Sequence, residues 1–291
     1  MSNIQWINRE EYPFKSKFIE LDMGKMHYID EGEGAPIVMV HGNPTWSFLY
    51  RHMIKGLSKK YRCIAMDHIG FGLSDKPYDW SYFPEEHAKN LNRLIEKLGL
   101  EDITLVVQDW GGPIGLSYAI GMPNKVKNLI IMNTWMWSVN DDPHFRKFSK
   151  LMGGAFGRFM IKRYNFFVRV VMKKATADKS KLSKPIHSHY LSPLKNSRDR
   201  KGCWVFPKQI IDSSSWLDSL WSQKEKIKNK PALILWGMKD IAFREQELKK
   251  WKDLFSYSQA IEFDDVGHFV QEEKGSELYP IIEDFLSTNT T

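Results

Sequence analysis

The residues best placed to do chemistry lie in Leu105-Val106-Val107-Gln108-Asp109-Trp110-Gly111-Gly112-Pro113, where an apolar run ends in an acid and a glycine pair, followed by the helical pattern Ile114 to Ile120. A tight strand-to-helix turn of this layout pushes one side chain out at the top of a sheet as a nucleophile, usually a serine. Here that place is taken by Asp109, and Val107 stands where a small residue is common, so the generic pattern is only partly met. The substitution changes the chemistry. A carboxylate is already ionised at neutral pH and can serve as a covalent nucleophile. It suits displacement at saturated carbon, giving an ester that water must then open. The competing structural role is a helix N-cap, which Asp fills well.

Three further segments complete a constellation. His41-Gly42-Asn43-Pro44-Thr45 follows the apolar run Pro36–Val40. A loop there can supply one oxyanion-hole N–H, the other coming from the residue after the nucleophile, so the donors are the backbone N–H groups of Asn43 and Trp110. An ordinary Asn-Pro turn is the plain alternative. His268, in Asp264-Asp265-Val266-Gly267-His268-Phe269, stands where a histidine base is expected. Asp240 follows the run Ala232–Trp236, and the order nucleophile, acid, histidine is that of a hydrolase triad. Asp240 would fix the imidazole tautomer and stabilise its charged form. Asp264 and Asp265 are rivals, but they would have to fold back on His268. His187 and His189 form a pair that no further ligand completes, so neither metal nor organic cofactor is expected.

The elements that must hold these groups are legible as short, continuous apolar runs: Pro36–Val40, Cys63–Met66, Ile103–Val107, Leu129–Met132, Ala232–Trp236 and Ala260–Phe263. Such runs suit strands buried on both faces of a parallel sheet. Alternation from Phe18 to about Asp30 predicts a hairpin near a sheet edge. Leu91, Leu94, Ile95 and Leu98 repeat at helical spacing, and Gly99 stops that helix. Strand–helix alternation predicts an α/β fold with a mostly parallel central sheet flanked by helices. It lapses after Thr134 and resumes at Pro231. A core of residues 1–134 and 226–291 is therefore interrupted by a helical cap over 135–225, inserted at a strand end, where ligands of such sheets bind.

Bulk composition narrows the partners. With 291 residues and 42% hydrophobic content the chain can bury one large core. Two cysteines make no disulfide framework, and Cys63 reads as a core residue. The net charge of +7 is compatible with nucleic acid or anionic membrane. No nucleic-acid motif accompanies it, and the basic stretch Lys173, Lys174, Lys179, Lys181 and Lys184 reads as solvated cap surface. Met1 to Phe14 lacks the apolar stretch of a leader, and no run is long enough to span a membrane. The expectation is a soluble, cytoplasmic protein with no nucleic-acid or membrane partner.

His-Gly-Asn-Pro-Thr-Trp at 41–46, Asp-His-Ile-Gly-Phe-Gly-Leu-Ser-Asp-Lys-Pro at 67–77, Val-Gln-Asp-Trp-Gly-Gly-Pro at 107–113 and Gly-Met-Lys-Asp at 237–240 together resemble the haloalkane dehalogenases, members of the α/β-hydrolase fold. The likeness spans about 18–134 and 231–285; the cap is less diagnostic. It implies a haloalkane dehalogenase in which Asp109 is the nucleophile, His268 the base and Asp240 the acid. The halide would be held by the indole N–H of Trp110 and the side-chain amide of Asn43. Its partners would be an uncharged halogenated alkane, water and a halide ion. One subgroup carries the acid after the strand preceding the cap, where this chain has Asn133. The combination of Asn43 with Asp240 resembles another subgroup, whose members tend to oligomerise, so a homo-oligomer is possible. Trp135, Trp137, Phe145, Phe148 and Phe167 are candidates for the apolar walls, or equally for plain cap core.

Rival readings remain at this level. An epoxide hydrolase of the same fold also uses an aspartate before Trp-Gly-Gly and needs two cap tyrosines; Tyr164 and Tyr190 are available. A fluoroacetate-type dehalogenase would want arginine where Trp110 stands, and a coelenterazine luciferase would want an acid at Asn133. A catalytically silent binding protein keeping the fold is the non-enzymatic alternative.

Overall fold

The computed structural model describes residues 5–289, so the first four residues of the Met1–Phe14 segment lie outside the described residues. Eight strands form one sheet: β1 (Lys17–Leu21), β2 (Gly24–Glu31), β3 (Pro36–Val40), β4 (Arg62–Met66), β5 (Ile103–Asp109), β6 (Val126–Thr134), β7 (Ala232–Gly237) and β8 (Gln259–Phe263), in the order β1-β2-β4-β3-β5-β6-β7-β8. The expected hairpin is β1–β2 at one edge. Strand β2 pairs antiparallel with both neighbours, and the six strands from β4 to β8 run parallel. Each of the six apolar runs lies within a strand. The central strands are buried along nearly their whole length, as a sheet covered on both faces requires. The last run departs from the expectation. β8 closes the sheet, has β7 as its one neighbour, and leaves Gln259 and Glu262 in solvent.

Helices α1 (Arg51–Leu57), α2 (Pro84–Lys97) and α3 (Gly111–Gly121) connect the strands of the first half. In α2, Leu91, Leu94 and Ile95 are buried, and Gly99 ends the element at φ +59°, a conformation that glycine adopts without strain. Between Thr134 and Ala232 the structure has six helices and no strand: α4 (Pro143–Gly153), α5 (Ala155–Tyr164), α6 (Met172–Ala175), α7 (Lys184–Leu191), α8 (Lys201–Asp212) and α9 (Ser214–Trp221). A single π-helical stretch, Phe167–Val171, leads into α6. Helices α10 (Glu245–Leu254), α11 (Val270–Glu273) and α12 (Leu278–Thr288) complete the chain.

The inserted helices are tied to the sheet domain by buried polar contacts. Arg51 makes a two-pronged ion pair with Glu272, and the Tyr190 hydroxyl of α7 donates to the same carboxylate. Glu273 accepts from the backbone N–H groups of Ala177 and Asp178 on the inserted segment and of Gly267 beside the candidate base. No helix is long and apolar enough to cross a membrane among the described residues.

Candidate active site

Strand β5 delivers Asp109 to a turn that only particular neighbours permit. Asp109 has φ +51°, a left-handed conformation that is strained for a residue with a Cβ. Its carbonyl accepts from the Thr134 hydroxyl at the end of β6. The glycines around it are required by close packing: a Cβ on Gly111 would lie 2.0 Å from the carbonyl oxygen of Val40, and one on Gly42 would lie 2.1 Å from Asp109 Oδ1. The departure at Val107 is also accommodated, because Gly115 stands opposite; a Cβ there would meet Val107 Cγ1 at 2.7 Å. The strain and the missing N-cap bond, since the Asp109 side chain caps nothing on α3, set aside the capping role.

The carboxylate faces the expected donors. Asn43 N–H donates to Asp109 Oδ1 at 2.7 Å, and the backbone N–H of Trp110 favours the carboxylate electrostatically. Burial raises the Asp109 pKa above the ordinary carboxylate range, opposed by the nearby His268 charge and these two N–H groups.

His268 Nε2 lies 3.7 Å from Asp109 Oδ2, and its Nδ1–H donates to Asp240 Oδ2 at 2.8 Å. Burial disfavours the imidazolium, but the carboxylates of Asp240 and Asp109 outweigh it and raise the His268 pKa. Asp240 is itself held by donors: the Asn133 amide reaches Oδ2 at 2.9 Å and Ala242 N–H reaches Oδ1 at 2.7 Å. Asn133 therefore sits against the acid and orients it; its amide also exchanges bonds with the backbone of Gly237. The rivals Asp264 and Asp265 are exposed, and Asp265 pairs with Lys274. His187 and His189 are separately bonded, to the Val168 carbonyl and to Asn8 N–H.

Sequence reasoning missed Gln108. Its side-chain amide donates to His268 Nε2 at 2.8 Å, on the nitrogen lone pair a base must use, while Gln108 Oε1 is buried without a partner. The only sequence signal is its place beside Asp109. Strand alternation would send residue 108 to the opposite face, but the left-handed turn at 109 redirects the chain.

A cavity of about 90 Å³ opens over Asp109. Asn43, Trp110 and His268 line it together with Trp135, Phe145, Phe148 and Phe167 from the expected wall set. Trp137 is corrected: three residues past the end of β6, it packs edge-on against Trp221 at 5.0 Å and near Trp251, and the cavity wall does not include it, because its ring is taken up by that aromatic cluster. Val171, Met172, Pro207, Ile210, Ile241 and Phe243 also line the cavity, with His144 among the few polar side chains. The Asn43 amide makes one long contact, 3.5 Å to the Cys203 carbonyl, and the Trp110 ring is fixed by stacking on Phe206 and by Trp135 edge-on at 4.7 Å. Neither cap tyrosine reaches the cavity: Tyr164 is half exposed and Tyr190 is committed to Glu272.

Fold and site together define an α/β-hydrolase whose elbow carries a carboxylate. The family model described as alpha/beta hydrolase fold matches residues 35–275. Haloalkane dehalogenase 2 of Mycobacterium tuberculosis is 36% identical over 264 residues, covering 90% of this chain and 91% of that one. Cis-3-alkyl-4-alkyloxetan-2-one decarboxylase of Shewanella oneidensis is 35% identical over 288 residues, covering 96% and 90%. A mutant of the haloalkane dehalogenase DatA from Agrobacterium tumefaciens superposes with a TM-score of 0.85 at 25% identity, covering 97% of this chain and all of that one. The chain belongs to the haloalkane dehalogenase family of the α/β-hydrolase superfamily.

Proposed function

We propose that the protein hydrolyses uncharged haloalkanes to alcohol, halide and a proton through a covalent ester on Asp109. The observation that carries the reading is a half-buried carboxylate bonded by the Asn43 backbone N–H at the floor of a largely apolar cavity, with an Asp-paired imidazole 3.7 Å away. Asp109 attacks the halogen-bearing carbon in line, and the halide leaves toward the Trp110 indole N–H and the Asn43 amide. A leaving halide gains charge as its bond breaks, so two donors in a dry pocket stabilise the transition state more than the neutral substrate. Once water displaces the Gln108 amide from Nε2, neutral His268 takes a proton from that water. That water attacks the Asp109 ester carbonyl, and its oxyanion is held by the N–H groups of Asn43 and Trp110. Asp240 stabilises the imidazolium. The helices of 135–225 act as the cap that supplies most of the apolar wall.

His268→Phe separates the steps. Incubated with 1-bromobutane, it is expected to gain the mass of one butyl group on Asp109 and to stop there. A folded variant of unchanged mass, beside an active wild type, refutes the covalent route.

One observation favours a second reading: the decarboxylase relative is nearly as similar as the dehalogenase and covers slightly more of the chain. There Asp109 would open the strained oxetanone ring at its saturated oxygen-bearing carbon, freeing a carboxylate toward Trp110 and Asn43; that carboxylate would then leave as carbon dioxide as the C–O bond to Asp109 breaks, giving an alkene and regenerating the Asp109 carboxylate. Turnover of a dialkyl oxetanone to carbon dioxide, with no halide released from bromoalkanes, establishes that reading instead.

A further inference from the structure

Between Pro143 and Ala177 the chain carries nine basic residues, Arg146, Lys147, Lys150, Arg158, Lys162, Arg163, Arg169, Lys173 and Lys174, and not one acid. The rest of the chain holds slightly more acidic than basic residues, so the positive charge of the protein is concentrated on this stretch. None of the nine forms an ion pair with a described residue, whereas basic residues elsewhere, such as Lys60, Lys125 and Lys249, do.

The same stretch exposes large apolar side chains. Of nine such residues among those described, four fall within 151–164: Leu151 at 53%, Phe156 at 68%, Phe159 at 55% and Tyr164 at 50%. Helix α5 is built to do this. Gly157 and Ile161, four apart, face inward; Gly157 lies so close to α4 that a Cβ would sit 2.2 Å from the Leu151 carbonyl oxygen. Phe156, Phe159 and Arg163, at i, i+3 and i+7, therefore share the outward stripe. Phe159 and Tyr164 meet edge-on at 6.0 Å, Arg163 lies over Tyr164 and Arg158 over Trp204.

Phenylalanines projecting from a helix, flanked by unpaired Lys and Arg and an aromatic rim, are the surface of an interfacial helix. We propose that the outer face of α4–α5 docks on an anionic phospholipid bilayer, lying on it rather than spanning it. Charge chooses this occupant. A second copy meeting the same face about a two-fold axis would set like charges against like, whereas anionic headgroups neutralise them and the acyl boundary accepts the aromatic rings. The arrangement suits the site beneath, because Phe148 of α4, Phe167 and Met172 from the same stretch turn inward to form the cavity wall. An apolar substrate dissolved in the bilayer would meet the protein at its cap. The lysines of 173–184 continue the basic surface, while the mixed basic and aromatic face is carried by 146–164.

The test is co-sedimentation of the full chain with vesicles of equimolar phosphatidylglycerol and phosphatidylcholine at low salt. The wild type is expected to bind these, to bind pure phosphatidylcholine far less, and to be released as salt rises. Phe156→Glu/Phe159→Glu is expected to weaken binding by at least about tenfold, and Arg158→Glu/Arg163→Glu to weaken it and flatten the salt dependence. Both should keep the wild-type circular dichroism and turnover in solution. Equal binding to both vesicle types, or full binding by the phenylalanine variant, overturns the proposal. So does a chain that ignores vesicles but self-associates through Phe156 in sedimentation velocity, or one that binds heparin and vesicles alike regardless of the phenylalanines.

Discussion

Replacing Asp240 with asparagine tests the division of labour between the two chemical steps. Asp240 offers two oxygens, and all three groups on them are donors: His268 Nδ1–H and the Asn133 amide on Oδ2, Ala242 N–H on Oδ1. An amide must turn its oxygen toward His268 and Asn133, leaving its NH2 against Ala242 N–H. The imidazole then keeps its tautomer, and the mismatch costs about 1–3 kcal/mol of stability. What is lost is the negative charge. Opposite unit charges 2.8 Å apart attract by about 6 kcal/mol at an effective dielectric of about 20. That is an upper bound for the imidazolium formed when His268 takes a proton, since the amide oxygen still accepts a hydrogen bond. Ester hydrolysis should slow by about 10²–10⁴. Asp109 alkylation, which uses neither residue, should proceed, so rapid-quench assays should show a halide burst near one per enzyme followed by slow turnover. The hydrolytic step should also fail in acid in the wild type. His268 must be neutral to act, and its raised pKa places the loss at a higher pH than an isolated histidine would. Alkylation removes the Asp109 charge, one of the groups that raise it, so the alkyl-enzyme should titrate lower than the free enzyme. Unchanged turnover in Asp240→Asn, or equal slowing of burst and steady state, refutes this assignment.

Two further outcomes follow from packing and burial. Gly111→Ala puts a methyl 2.0 Å from the Val40 carbonyl oxygen, against the backbone of Val40 and His41 rather than a movable side chain, so the elbow must shift and the variant should lose several kcal/mol of stability together with its halide burst; native-like urea unfolding would contradict the geometry. His41, His68 and His87 are fully buried in one aromatic cluster, and burial pushes all three pKa values down, His41 to about 4. The unfolded chain then binds more protons than the folded one, so stability should fall as pH drops below about 6.5, opposed in part by His268, whose pKa shifts the other way. His87 has no partner for either ring nitrogen, and His87→Phe should lessen the fall in Tm between neutral and acid pH; an unaltered slope would place the acid sensitivity elsewhere.

Much of the site was legible because chain order and local pattern carry it. Asp109 followed by Gly-Gly at the end of a β-branched run is a local statement, and the backbone there has few alternatives once Gly111 must pass Val40. The sheet's six parallel strands were visible as apolar runs, because a strand buried on both faces cannot alternate. Asp240 was preferred over Asp264 and Asp265 because those two stand so near His268 in sequence that they would have to fold back on it. Other features required long-range contact. Gln108 on His268 joins residues 160 apart, and beyond its place next to Asp109 nothing in either segment foretells it. Asn133, whose type excludes it as the acid, was placed by the register of β6 and β7 to hold the acid instead. Trp135 and Trp137, two apart, are indistinguishable in sequence, yet one lines the cavity and the other packs behind it. Local sequence thus settled which groups are able to react, since reactivity and backbone freedom belong to residue types and short spacings. Only tertiary structure decided which of them meet, because hydrogen bonds and burial depend on segments that the chain keeps far apart.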